Sequence, residues 1–200
     1  EIAQCLVGSE MCIRDRSGEA YGFARAFSGK DCFGADAIRW LDKNLFGRGL
    51  EAGAVSLYFL PLGEPTCPTP DNVRFVFLEK ESLPPFYLPQ WSNALCEERK
   101  GLDAFAVAAL CGGLTAGLAG ASCDCSDMLQ IGVDVLPAFR GRGLGAALTS
   151  RLAACIRAAG KTAFYCCEAG NLPSIKTALR SGFRPTATRL SAQKQKPDAF

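Results

Sequence analysis

Residues Arg140-Gly141-Arg142-Gly143-Leu144-Gly145 have the composition of an anion-binding turn. They follow a strand-like run, Leu129 to Val135, and precede a helix-like run, Ala146 to Ala159. Glycines at such a junction let the backbone approach a ligand closely. The first helical turn also leaves N–H groups without intrahelical partners. Those donors, together with the positive end of the helix dipole, suit a phosphate group. Arg140 and Arg142 add positive charge.

Two phosphate ligands compete for such a turn. Gly141-x-Gly143-x-x-Ala146 satisfies the G-x-G-x-x-A form of a dinucleotide fingerprint, and Glu168 follows the next strand where a ribose-binding carboxylate would lie. Three features oppose that reading. Residues Leu136 to Arg140, with Pro137, separate the strand from the glycines, whereas a dinucleotide loop follows its strand directly. The chain remaining after them is too short to finish a doubly wound sheet. The glycine block also comes late, after hairpin signals.

The spacing Arg-x-x-Gly-x-Gly at residues 140–145 resembles the pyrophosphate loop of the GNAT superfamily, the CoA-dependent N-acetyltransferases. A second block, Asn171-Leu172-Pro173-Ser174 followed by Ser181-Gly182-Phe183, is similar to the last motif of that superfamily. The resemblance runs over about residues 103 to 190. A looser similarity to bacterial GNAT proteins lies in Asn93-Ala94-Leu95-Cys96 and in Gln130 to Pro137. It implies the GNAT acyl-CoA N-acyltransferase fold, an α/β (α+β) protein whose central, mostly antiparallel mixed sheet has helices on both faces and a splayed strand pair that admits the cofactor.

The same resemblance implies acetyl-CoA as acyl donor, a direct transfer to a primary amine, and no metal. Arg140, Gly141, Arg142, Gly143, Leu144 and Gly145 would take the pyrophosphate. Val133 and Val135 would offer main-chain groups to the pantetheine arm, which adds like a further strand. Asn171, with Ser174, would meet the same arm, although both residue types also suit a helix N-cap. Gly182-Phe183 reads as a helix stop and an anchoring aromatic.

An amine with a pKa near ~10.4 is mostly protonated at neutral pH, so a base or a water chain must remove its proton. Alternation along residues 129–135 sets Gln130, Gly132 and Asp134 on the face opposite Ile131, Val133 and Val135. Asp134 is therefore a candidate base and Gln130 a candidate acceptor-orienting group. Glu168 is the alternative base, and a carboxylate that caps loop amides is the alternative role for Asp134. The superfamily often protonates the departing thiolate with a tyrosine seven residues after its Asn; that position here is Ala178. Tyr165, Ser174 or water would have to serve. A catalytically silent CoA-binding or acyl-CoA-sensing module is the other function this departure suggests.

The elements that must position these groups are legible in outline. Gly34 to Phe46 carries apolar residues at helical spacing and ends at Gly47 and Gly49. Val55 to Leu60 reads as a strand, Pro61 to Pro70 as a proline-rich connection, and Val73 to Leu78 as a strand. Leu83 to Gln90 should cross irregularly into a polar helix near Asn93 to Lys100. Phe105 to Leu110 and Leu114 to Ala121 flank Cys111-Gly112-Gly113, a hairpin signal. Thr162 to Cys167 is a short strand, Ser174 to Arg180 a helix, and Thr186 to Leu190 a closing strand. This divides the chain into 1–16, 17–72, 73–192 and 193–200. Residues 73–192 form the acetyltransferase-like domain and 193–200 a tail. Residues 17–72 are either an N-terminal subdomain shaping the acceptor pocket or the remnant of a larger domain. The string around Met11-Cys12-Ile13-Arg14-Asp15-Arg16 resembles translated sequencing-adapter DNA, with an ordinary polar tail as the alternative.

Composition bounds the rest. The net charge of +2 is unclustered, so neither a nucleic-acid nor an anionic-membrane footprint appears. No apolar run is long enough to span a bilayer. The eleven cysteines lie partly within apolar runs, at Cys111, Cys155 and Cys166, which suits buried thiols in a reducing cytoplasm. The absence of histidine removes imidazole-dependent catalysis and imidazole metal sites; a four-cysteine zinc site through Cys123-x-Cys125 and Cys166-Cys167 is the remaining alternative to buried thiols, and neither spacing is the usual C-x-x-C. The expected partner is a small-molecule or peptide amine, met by a monomer or homodimer.

Overall fold

Cys111-Gly112-Gly113-Leu114 makes a tight two-residue turn. Cys111 pairs with Leu114, and Gly112 and Gly113 both take positive φ, at 56° and 86°. A two-residue hairpin whose twist matches its strands needs that geometry, which glycine reaches without penalty. The turn joins β3 (Asp103–Cys111) to β4 (Leu114–Ser122). With β2 (Val73–Glu79) before them and β5 (Met128–Val135) after, they form an antiparallel meander. In the computed structural model, residues 34–64, 67–123 and 125–194 are described.

Three more strands complete one seven-stranded sheet: β1 (Leu50–Pro61), β6 (Thr162–Glu168) and β7 (Phe183–Lys194). The spatial order is β2-β3-β4-β5-β6-β1-β7, and only β5 and β6 run parallel. Among the described residues the α-helices are α1 (Ala35–Leu45), packed on β1, then α2 (Leu144–Ala158) and α3 (Leu172–Arg180). Leu144, Leu148, Leu152 and Ile156 recur every four residues and face small strand residues such as Ala109, Ala119 and Ala121. Each such leucine contributes about 1.5–3 kcal/mol through burial.

The opposite face of the meander is covered by chain rather than by a long helix. Leu83, Trp91, Ala94 and Leu95 bury Ala106, Ala108 and Leu118. The expected polar helix over Asn93 to Lys100 does not form; residues 97–99 make one 3₁₀ turn instead. The backbone turns extended at Cys96, with φ −114° and ψ 108°, which interrupts any helix over these residues. The N–H groups of Asn93 and Ala94 donate to the Asp134 carboxylate, at 2.8 and 2.9 Å, and fasten the segment to β5.

This crossing segment lies against bare backbone. A Cβ on Gly132 would fall 1.8 Å from the Asn93 carbonyl oxygen, and one on Gly120 would fall 2.0 Å from that of Ala94. Both obstacles are main chain, so the segment must lift to admit a methyl group. Gly132→Ala should lower stability by about 3 kcal/mol, the upper end for core overpacking, with urea denaturation as the measurement. An unchanged midpoint would show that the segment does not rest on the sheet.

The division at residue 72 does not match the sheet. β1 belongs to residues 17–72, yet it pairs with β6 over Ser56–Phe59 and with β7 over Leu50–Pro61. β7 likewise runs through Lys194, past the expected boundary at 192. Residues 1–33 and 195–200, including the adapter-like string, lie outside the described residues.

Candidate functional site

β5 and β6 stay in register only from Met128↔Thr162 to Ile131↔Tyr165. Beyond that point β5 remains paired with β4 through Val135, while β6 continues beside β1 to Glu168. The two strands therefore part at Gly132 and Cys166. A cleft of about 780 Å³ opens there, lined by both strands and by the first turns of α2 and α3.

Leu136 N–H donates to the Ala116 carbonyl on the β4 side. Strand alternation then turns the N–H and C=O groups of Val133 and Val135 toward the gap. Arg140 Nε donates to the Val135 carbonyl at 2.9 Å, which ties the loop to the strand end and leaves the Val133 groups open. Arg140 thus braces the loop as well as charging it.

After a single turn at Pro137–Phe139, Gly141 and Gly143 adopt φ of 79° and 81°. Gly143 caps α2 with no side-chain hydrogen bond, and Ala147 N–H is the first to reach back, to the Gly143 carbonyl at 3.0 Å. The N–H groups of Leu144, Gly145 and Ala146 are consequently the orphan donors of the first turn. They point to the same cleft, which Gly141, Gly143, Leu144 and Gly145 line; Arg142 borders a neighbouring small groove. A diphosphate fits this cradle by charge and by donor count.

α3 completes the wall. Asn171 accepts from Ser174 N–H at 3.1 Å, so it is the N-cap of this helix. The Ser174 hydroxyl and the Tyr165 hydroxyl are 2.7 Å apart. Tyr165 is buried, and desolvation is the main cause that pushes its pKa up to about 12; a hydrogen bond to Ser174 opposes this, while Cys167 and Asp134 add to it. Its phenol is neutral at pH 7. Ala178 is wholly buried in the core beneath α3 and carries nothing toward the cleft. Phe183, also fully buried, meets Tyr165 edge-on at 6.4 Å.

Asp134 is a clamp. Its Oδ2 accepts from Asn93 N–H and Ala94 N–H, and its Oδ1 accepts from Asn93 Nδ2 at 2.7 Å. These three donors occupy most of the lone pairs that a proton acceptor needs. This is the capping role. Glu168, at the exposed end of β6, lines the cleft and forms no ion pair among the described residues. Gln130 lines the same cleft from deeper in β5.

Sequence reasoning missed three contributors. Asn93 stands in the Asn93-Ala94-Leu95-Cys96 similarity but has no role assigned there, because its partner lies 41 positions away. Lys176 and Arg180 sit one turn apart on α3 and line the cleft. Their i, i+4 spacing was the available signal. Among the described residues, no group of three His, Cys, Asp or Glu side chains could hold a metal, and no helix is long and apolar enough to cross a membrane.

Residues 99–190 match the model of the FR47-like protein family. No curated protein sequence matches the chain. Among solved structures, the chain is similar to a GCN5-related N-acetyltransferase-like protein from Streptococcus suis: TM-score 0.55, 17% identity, 78% of this chain and 67% of that one. A GCN5-related N-acetyltransferase from Kribbella flavida gives TM-score 0.56, 18% identity, and coverage of 82% and 67%. A GNAT-family acetyltransferase from Colwellia psychrerythraea gives 0.53, 13%, and coverage of 82% and 73%. Other matched structures are longer, and the chain spans only 56% to 59% of three of them. At these identities the likeness is one of fold.

Proposed function

We propose that this chain, a GNAT-superfamily member in its fold with an FR47-like segment at its centre, is an N-acetyltransferase that passes an acetyl group from acetyl-CoA directly to a primary amine. The observation that carries the reading is the opening between β5 and β6, bounded at one end by the unpaired amides of α2. That combination supplies an anion cradle and a strand edge along one continuous cleft. Lys176 and Arg180 add cations beside the cradle.

In this reading the amine nitrogen attacks the thioester carbonyl carbon, a C–N bond forms, and the C–S bond breaks. Glu168 takes the amine proton, directly or through water. The CoA thiolate leaves and receives its proton from the Tyr165–Ser174 hydroxyl pair. Asp134 holds the crossing segment in place and exchanges no proton. Alignment of the two reactants provides most of the acceleration.

Calorimetric titration with acetyl-CoA and a thiol-release assay across amines test the proposal. Micromolar binding with amine-dependent release is the expected result, and absence of binding would remove it. The second reading, a silent acyl-CoA sensor, draws on Ala178 standing where the superfamily usually has its tyrosine. Binding without release from any amine would favour it.

A further inference from the structure

Beside the cleft, the sheet carries charge of both signs in one row that begins at its lining residue Glu168. Ser56 on β1 pairs with Glu168 on one side and with Arg189 on the other. Directly paired residues share a face of the sheet, so Glu168, Ser56 and Arg189 lie together. The two charged Cα atoms are about 10 Å apart, two strand spacings. Tyr58, two residues along β1 on the same face, pairs with Cys166.

The Arg189 guanidinium lies over the Tyr58 ring, 5.5 Å from its centroid. It therefore leans along the sheet toward Cys166, where β5 and β6 part. Burial raises the Cys166 pKa, while the hydrogen bond from Tyr58 and the Arg189 charge pull it back. Arg189 is exposed and forms no ion pair among the described residues. A guanidinium stacked on tyrosine is commonly surface packing. Here it stands beside the open mouth of a cleft that Cys166 and Glu168 both line.

We infer that the acceptor is an amine that also bears a carboxylate, such as an α-amino acid or a short peptide, with Arg189 binding the carboxylate while Glu168 faces the amine. This rests on the acetyltransferase reading and names the substrate class for the same cleft. Arg189 is a specificity residue here: a planar, permanently charged fork on an aromatic platform suits a carboxylate better than an ammonium does. Polycationic acceptors would meet repulsion at the same point.

The experiment compares acids with their amides, glycine against glycinamide and leucine against leucinamide, at saturating acetyl-CoA and with rates corrected for the neutral-amine fraction. Only the carboxylate differs within each pair. The acids should show at least a tenfold higher kcat/KM, carried by KM. Arg189→Gln should erase that preference without altering kcat for the amides, and Arg189→Lys should restore part of it. Titration with acetyl-CoA on each variant reports folding and the cofactor cleft separately. Equal rates for acid and amide, a preference that survives Arg189→Gln, or turnover of no carboxylate-bearing amine by protein that binds acetyl-CoA would each overturn the inference. Failure to bind acetyl-CoA at all would instead remove the reading beneath it.

Discussion

Gly143→Glu is expected to abolish acetyl-CoA binding, with a loss of at least a hundredfold in affinity. The substituted carboxylate would stand at the N-cap of α2, where the orphan amides of the first turn converge. Two like charges 4 Å apart near a protein surface repel by about 4 kcal/mol, and a hundredfold is about 2.8 kcal/mol, so the electrostatic term alone suffices. There is no steric conflict, because a Cβ at this position meets nothing within 4 Å. The φ of 81° is the complication, since any L-residue there is strained. Gly143→Asn separates the two effects, because asparagine tolerates the left-handed region and brings no charge. The asparagine variant should bind acetyl-CoA within about tenfold of the parent. Equal loss in both variants would mean that loop conformation, not charge at the cradle, governs binding.

Tyr165→Phe should lower kcat by about ten- to a hundredfold while leaving acetyl-CoA affinity unchanged. General acids contribute typically about 10²–10⁴-fold, and a thiolate leaving group needs less help than an alkoxide or amide. Ser174→Ala should cost about as much, because the 2.7 Å pair acts in series. The double variant should therefore be no worse than either single one, a non-additivity that independent roles would not produce. With the phenol pKa pushed up to about 12, the donor is protonated below that pH and lost only above it. Loss of this group should consequently leave the pH–rate profile unchanged in shape up to about pH 11. Additive losses in the double variant would sink the relay.

The β2–β5 meander, its hairpin and the glycine turn before α2 were legible in the sequence because each is written in local chemistry. Gly112-Gly113 requires a tight turn, and the leucine spacing of α2 declares one apolar face. The placement of β1 was not legible. Its residues Val55 to Leu60 read as a strand, but nothing local says that its neighbours are β6 and β7, more than a hundred positions later. Asp134 illustrates the same limit at the site. Alternation put it on the correct face with Gly132, yet its role depends on Asn93 and Ala94, whose amides reach it only after the chain has crossed the sheet. The missing polar helix has a similar origin. A propensity-based reading counts 93–100 as helical, whereas the chain turns extended at Cys96 and rests its Asn93 and Ala94 carbonyls on Gly132 and Gly120 of the sheet.

The insertion of β1 between β6 and β7 bears on how the molecule is made. Ribosomal synthesis proceeds from the N-terminus, so Leu50–Pro61 emerges long before Thr162–Glu168 and Phe183–Lys194 exist. Until then both of its edges are unsatisfied, and closing so large a loop makes a folding step slow. The parallel contact of β5 with β6 fixes only four residue pairs, Met128↔Thr162 to Ile131↔Tyr165, so β6 gains little support before β1 docks. A nascent chain stalled before residue 183 should therefore hold the β2–β5 meander without the rest, and release of the final segment should be the event that assembles the cleft.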